Sequence, residues 1–183
     1  IDCTEVSIDE GLWDGGGSSL MGQADIPDTD YDLAKLGPSN TVVPFRNAIL
    51  VSMAVAIASS QGLDAVAIAT HATDAAHWAY PDCTPEFVGA MTAAVYVGTY
   101  HKVRLLAPFT YLTKADIVAK AAEIHAPLEL TWSCYRGGDY ACGTCPTCRE
   151  RLRAFQVAGY VDPILYVQKP NWFGCEPWQL AFA

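Results

Sequence analysis

Four cysteines near the C-terminal end have the spacing of a metal site. Cys134, Cys142, Cys145 and Cys148 follow the pattern C-x7-C-x2-C-x2-C. Zn²⁺ accepts a tetrahedron of thiolates, and two residues between cysteines let both sulfurs turn towards one ion. Disulfides or buried free thiols are the alternatives, but tandem two-residue spacing favours a shared ion. Four thiolates leave no open coordination position, so the predicted zinc is structural.

A second candidate site lies at the start of a predicted helix. Pro44 precedes this helix, and Arg46 and Asn47 fall in its first turn. Backbone N–H groups and the helix dipole favour an anion there. We therefore predict contact with a nucleotide phosphate or ribose. The alternative is a surface salt bridge from Arg46 to an acid of the preceding loop, Asp28, Asp30 or Asp32.

The loop 71–83 combines carboxylates with aromatic rings. Asp74 and Asp82 can accept hydrogen bonds from the amino and ring N–H groups of a planar heterocycle, while Trp78 and Tyr80 can stack on it. The pattern suits a purine-like ring, although the aromatic side chains could instead pack on the core. Lys114, at the first position of a later helix, could neutralise a phosphate or could simply be solvated.

Alternating helices and strands must position these residues. The pattern predicts an N-terminal strand 1–8, a long loop 14–44, helices 46–61, 84–100, 114–125 and 146–157, and strands 63–70 and 101–107. Helix 46–61 is apolar almost all round, so we expect neighbours on both of its sides. The apolar strand 63–70 is expected to be buried on both faces. The fold class is α/β: a parallel sheet with helices on both faces and ligands at its carboxyl edge.

Composition limits the remaining possibilities. The chain of 183 residues is 51% hydrophobic, with a mean hydropathy of +0.16, which indicates a folded core. We expect one domain, 1–165, that includes a cysteine knuckle at 132–151, and a tail at 166–183.

The net charge of −9 argues against a nucleic-acid partner. The most apolar stretch, 48–60, is too short to span a membrane. Seven cysteines without an export signal indicate the cytoplasm. The run 15–19 (Gly-Gly-Gly-Ser-Ser) fits a flexible hinge better than a phosphate loop.

Several motifs together resemble the 7-cyano-7-deazaguanine (preQ0) synthase family. They are Pro-x-Arg-Asn, Tyr-Pro-Asp-Cys-x-Pro-Glu-Phe, Leu-Thr-Lys-Ala-Asp-Ile-Val, Trp-Ser-Cys-Tyr and a four-cysteine run that ends Cys-x-x-Cys-Arg-x-Arg, and they span roughly 41–163. The resemblance implies the Rossmann-like, adenine-nucleotide α-hydrolase-like fold of pyrophosphatase-loop ATPases. It also implies a ligase that forms carbon–nitrogen bonds and makes the 7-cyano base, for queuosine and deazapurine biosynthesis, from 7-carboxy-7-deazaguanine, ammonia and ATP with Mg²⁺. Members are often dimers, so a homodimer is possible.

The resemblance also assigns roles to residues. Arg46 and Asn47 would line the nucleotide site, with Lys114 near the phosphates. Asp74, Tyr80, Pro81 and Asp82 would lie at the deazaguanine site, and Lys114 and Asp74 would be catalytic. The four cysteines would hold one structural zinc, which we expect to organise the loop 132–136 over the pocket.

Two departures from the family pattern bear on activity. The chain contains no Ser-Gly-Gly-x-Asp-Ser run, the family's ATP loop, and Thr84 stands where the family has an arginine. Residues 1–2 resemble the start of the family's third strand, so roughly fifty to sixty N-terminal residues are expected to be missing. Either the sequence is a fragment, or a separate chain supplies the loop, or this homologue does not bind ATP in the usual way. We therefore expect weak or no ligase activity from these 183 residues alone. The alternatives are a zinc-dependent deazaguanine-binding protein and a related amide-forming or conjugating ligase. A zinc-ribbon nucleic-acid binder is disfavoured by the acidic charge.

Overall fold

Two short parallel strands form the sheet of the computed structural model, which describes residues 5–22, 25–28 and 39–170. Strand β1 (Ala65–Ala67) pairs in register with β2 (Arg104–Leu106), with Val66 opposite Leu105. Helix α3 (Pro85–Gly98) connects them, so the unit is a βαβ crossover. The predicted α/β class with parallel strands is confirmed.

The other helices follow their local sequence signals closely. They are α1 (Arg46–Gln61), the short α2 (Ala72–Ala75), α4 (Lys114–Glu123) and α5 (Pro146–Ala158). Thr113 begins α4 with a capping box that Asp116 completes, as Thr and Asp three residues apart favour. Gly62 ends α1 and Gly159 ends α5, both with positive φ, a conformation that glycine adopts without a Cβ clash.

Helices α1 and α3 pack on the strands through one apolar cluster. Its buried members are Val51, Ala58, Val95, Val103 and Leu105. Each such side chain contributes about 1.5–3 kcal/mol by leaving water, so this cluster fixes the crossover. Helices α4 and α5 pack against each other through Val118, Ala154 and Phe155.

The core is less complete than the sequence predicts. Ala67 of β1 is exposed, and Leu50 of α1 remains 46% exposed. The expectations of a strand buried on both faces and of a helix covered all round are therefore wrong for the described residues. The physical reason is that α1 and α3 share one cluster and the described sheet has only two strands, so neighbours are lacking elsewhere. Helices on the second face of the sheet stay a prediction.

The predicted N-terminal strand is wrong where it can be compared, because residues 5–8 have no regular structure; residues 1–4 lie outside the described part. Single turns of 3₁₀-helix follow at Glu10–Trp13 and Ser19–Met21. The Trp13 indole donates to the Pro44 carbonyl at 2.9 Å, and the Ser19 backbone N–H donates to Asn40. These contacts place the segment beside the start of α1.

Two further predictions made secondary-structure elements longer than they are. The strands are three residues each instead of seven or eight, and α4 ends at Glu123 instead of near 125. Most of the tail 166–183 lies outside the described residues. Among the described residues, none of the helices is both long and apolar enough to cross a bilayer.

Candidate functional site

The four predicted metal ligands converge on one point. The sulfurs of Cys134, Cys142, Cys145 and Cys148 all lie within 4.8 Å of one another, and the Cys142 and Cys148 sulfurs are 3.9 Å apart. Sulfurs at the corners of a tetrahedron with Zn–S bonds of about 2.3 Å would be about 3.8 Å apart. All four are free thiols, so the disulfide alternative is not realised. The arrangement could hold a metal ion.

Backbone geometry turns these sulfurs inward. Cys145 precedes the first residue of α5, Pro146 fits the first helical position, and Cys148 lies in the first turn. The N–H groups of Cys145 and Thr144 donate to the Cys142 sulfur at 3.3 and 3.4 Å. Burial alone would raise the pKa of the Cys142 thiol, but these N–H groups hold the pKa below its ordinary value. This position therefore favours the Cys142 thiolate, the form of the side chain that a metal binds.

Arg136 joins the cysteine knuckle to the segment 25–28. Its guanidinium donates to the Asp28 carboxylate at 2.7 Å, to the Ile26 carbonyl at 2.9 Å and to the Thr144 hydroxyl at 2.7 Å. The hydrogen bond from Arg136 holds the pKa of the Asp28 carboxyl below its ordinary value. Because Asp28 pairs with Arg136, it does not supply the salt bridge to Arg46 that the sequence left open; Asp30 and Asp32 lie outside the described residues.

A second cluster of charged side chains lies where β1 and β2 end. The Lys114 ammonium, at the first residue of α4, contacts Asp74 at 3.2 Å and also binds the Glu150 carboxylate. The Lys114 backbone N–H donates to the Thr73 hydroxyl at 3.0 Å. Burial lowers the pKa of Lys114, but the Asp74 and Glu150 carboxylates outweigh it and hold the pKa above its ordinary value. Lys114 therefore stays charged at neutral pH.

His71 completes this cluster. It is buried, its Nε2 lies 3.3 Å from the Asp74 carboxylate, and its Nδ1 accepts the Asp74 backbone N–H. Burial lowers the pKa of His71, which favours the neutral ring that this pair of contacts requires. Beside it, the buried Thr70 hydroxyl has no hydrogen-bond partner within the described ranges. A buried hydroxyl without a partner at the carboxyl edge of a sheet is available to a bound ligand.

Asn47 and Asp82 contact each other. The Asn47 backbone N–H donates to the Asp82 carboxylate at 3.0 Å, and its amide donates to the Asp82 carbonyl at 3.1 Å. Phe45, which precedes α1, provides no side-chain cap, so Asp82 performs this function from a distant loop. Arg46 forms no ion pair with any described residue.

The cysteine of the same loop is chemically inert. Cys83 is buried and accepts a hydrogen bond from the Asn47 amide. Burial, together with the Asp74 and Asp82 carboxylates, raises the pKa of Cys83 to about 12. A thiol with such a pKa is protonated at neutral pH and is no nucleophile.

Tyr80 connects the loop to the cysteine knuckle. Its hydroxyl hydrogen-bonds to the buried Thr41 hydroxyl and lies 3.2 Å from the Tyr135 hydroxyl. Tyr135 directly follows the first cysteine of the metal cluster. Pro81 begins a 3₁₀ turn, Pro81–Cys83, beside this contact, whereas the Trp78 ring is 60% exposed. The structure thus brings the knuckle loop against the predicted substrate loop.

Sequence reasoning missed Glu150 and Tyr135. Glu150 stands in the Cys-Arg-x-Arg run, and a lone acid on a helix surface carries no marker of a partner in another element. Tyr135 lies inside the quoted Trp-Ser-Cys-Tyr motif, but its contact with Tyr80 depends on how the chain folds. The contact between Glu150 and Lys114 becomes visible only when α5 is seen packed on α4.

Comparison with known proteins places this chain in a family. Residues 4–159 match the sequence model of the queuosine biosynthesis protein QueC family, and the chain belongs to that family. Proteins named 7-cyano-7-deazaguanine synthase from Brucella ovis, Brucella suis and Brucella abortus are each 46% identical to it over 158 residues. The match covers 85% of this chain and 66% of each relative, so it spans slightly less than two thirds of their length. The resemblance inferred from the motifs is confirmed.

Proposed function

We propose that this protein is an ATP-dependent ligase that converts 7-carboxy-7-deazaguanine and ammonia to 7-cyano-7-deazaguanine. The observation that carries the proposal is the 46% identity, over 85% of the chain, to proteins named for that product. The site supports it, because a carboxylate and a buried hydroxyl that lacks a partner among the described residues lie at the sheet edge where parallel α/β folds bind ligands.

The proposed reaction activates a poor electrophile twice. A substrate carboxylate oxygen attacks the α-phosphorus of ATP and releases pyrophosphate. Ammonia then attacks the acyl carbon, AMP leaves, and a proton is lost to give the amide. The amide oxygen then attacks the α-phosphorus of a second ATP and releases a second pyrophosphate, and loss of AMP and of the two N–H protons leaves the nitrile. Such chemistry needs orientation and charge neutralisation more than a protein nucleophile, consistent with a protonated Cys83.

The family resemblance suggests roles for the site residues, and their positions support these roles. We assign Asp74 to the deazaguanine ring, with Tyr80, Pro81 and Asp82 as the wall of the same cleft. Asp74 is suited to this contact because its side chain is 27% exposed, whereas Asp82 is buried against Asn47.

We assign Arg46 and Asn47 to the nucleotide site at the start of α1. Lys114 provides the positive charge at the sheet edge. Because its ammonium already contacts two carboxylates, it offsets their charge and leaves little for phosphate. Mg²⁺ carried with ATP would supply the remaining positive charge.

We assign one structural Zn²⁺ to Cys134, Cys142, Cys145 and Cys148. When bound, the ion would cross-link the loop before Cys142 to the first turn of α5. Tyr135 would then be held against Tyr80, which keeps the substrate loop in place.

The test measures base binding and turnover separately. Calorimetric titration with 7-carboxy-7-deazaguanine should show binding that Asp74→Asn weakens about 10- to 100-fold, as expected for a hydrogen bond to a charged group. Asp64→Asn, at the exposed opposite end of β1, is the matched control and should bind like the wild type. AMP and the 7-cyano base should appear when ATP and ammonium are added to the full-length gene product. Base binding without AMP would favour a deazaguanine-binding protein; no base binding would contradict both functions.

A further inference from the structure

Glu150 lies between the metal cluster and the sheet-edge site. It stands two residues after Cys148 on α5, so one rigid stretch of helix carries both side chains. Its side chain is 12% exposed, and its carboxylate binds the Lys114 ammonium across the α4–α5 contact. Any shift in the first turn of α5 must therefore move the Glu150 carboxylate.

Lys114 links the Glu150 carboxylate to Asp74, because its ammonium contacts both side chains. The ammonium is held between Glu150 on one side and Asp74 on the other, and Asp74 in turn contacts His71. With a neutral His71, the Lys114 ammonium faces two carboxylates. The location of the ammonium, and of the Asp74 oxygen that it contacts, is thus set jointly by α5 and by the loop after β1.

We propose that Glu150 is a positioning residue that couples the cysteine knuckle to the Lys114–Asp74 pair. The coupling rests on the proposed function in that Asp74 is taken to contact the deazaguanine ring. In a merely structural role, Glu150 would stabilise α4 against α5 without affecting how Lys114 and Asp74 meet the substrate. The metal would then influence the cleft by Tyr135 alone.

The first test does not depend on ligase activity. Amine acetylation followed by mass spectrometry reports how well each lysine is protected. Glu150→Gln should raise Lys114 acetylation about fivefold, because one of its two charged partners is lost. The matched control is Glu123→Gln, which removes the exposed partner of Lys120 on the same helix, 2.6 Å away, and should leave Lys114 unchanged. Unchanged Lys114 labelling in Glu150→Gln would overturn the proposal.

The second test asks whether the knuckle acts through Glu150. Removing the metal with a chelator should raise Lys114 acetylation in the wild type by a similar factor and add little in Glu150→Gln. An equal rise in both proteins would contradict the coupling, since the metal would then act on Lys114 by another route or through general unfolding.

The third test uses a double-variant cycle on turnover. If Glu150 acts through Lys114, Glu150→Gln should lower kcat/KM about tenfold in the wild type and have no further effect in Lys114→Met. Losses that multiply would indicate an independent structural role. Absence of turnover by the wild-type full-length gene product would overturn the proposed function, and the labelling comparisons would then decide the coupling alone.

Discussion

Gly143 is the position where a single methyl group should disturb the metal cluster most. It lies between Cys142 and Cys145, is buried and has φ +79°. A Cβ there would come within 1.6 Å of the Gln168 carbonyl oxygen. Gly137, in the same knuckle, has φ +66° with no atom within 4 Å of its Cβ position. The two glycines therefore share the backbone requirement, whereas only Gly143 of the two is buried and meets a clash.

The expected loss of stability follows from the backbone strain and the clash. A left-handed conformation costs a non-glycine residue about 1–2 kcal/mol, and both Gly→Ala variants incur it. In Gly143→Ala the Gln168 backbone must also move, which strains the pairing of Ala141 with Leu165 and Val167 at 3.0 and 2.8 Å. Overpacking and weakened backbone hydrogen bonds add about 2–3 kcal/mol. The melting temperature of Gly143→Ala should lie about 5–10 °C below that of Gly137→Ala.

Differential scanning calorimetry of both metal-loaded variants measures this difference, and plasma mass spectrometry measures the metal retained. We expect Gly143→Ala also to retain less metal, because the strained residue lies between two of the ligands, Cys142 and Cys145. Equal melting temperatures for the two variants would refute the reasoning, since the close approach of Gln168 would then have no energetic consequence.

Three further predictions concern the rest of the chain. Arg151→Met should lower the free energy of unfolding, measured by calorimetry, by about 3–5 kcal/mol, because the buried Asp162 carboxylate loses the guanidinium that now lies 2.7 Å away. Lys120→Met removes an exposed ion pair and should change the free energy of unfolding by under about 1 kcal/mol. Thr113→Ala should cost about 1 kcal/mol in denaturant unfolding through loss of the α4 cap. The folded-state pKa of His71 is lowered, so unfolding takes up a proton and stability should fall as the pH drops below about 6.5; His71→Gln should flatten that slope.

Local chemistry made the cysteine cluster and the helix ends predictable. The spacing of Cys142, Cys145 and Cys148 leaves little freedom for the sulfurs, and Thr113 and Gly159 mark helix termini by their own backbone preferences. Such features depend on residues within a few positions of one another, which is why a single sequence contains them.

Contacts between residues far apart in the chain could not be predicted from the sequence. Asp82 caps α1 from 35 residues away, and Lys114 meets Glu150 across two helices. The predicted lengths of β1 and β2 were wrong for a related reason, since an apolar run becomes a strand only where a neighbouring strand pairs with it. Family motifs predicted which residues form the site, and the structure shows which of them contact each other.

The most direct test of the account is the metal content and thiol state of the purified chain. Plasma mass spectrometry should find one zinc per chain, and mass spectrometry after alkylation should show Cys134, Cys142, Cys145 and Cys148 free of disulfides. Cys145→Ser should lose both the metal and cooperative melting. A chain without stoichiometric zinc, with these sulfurs bridged to one another, would contradict the account.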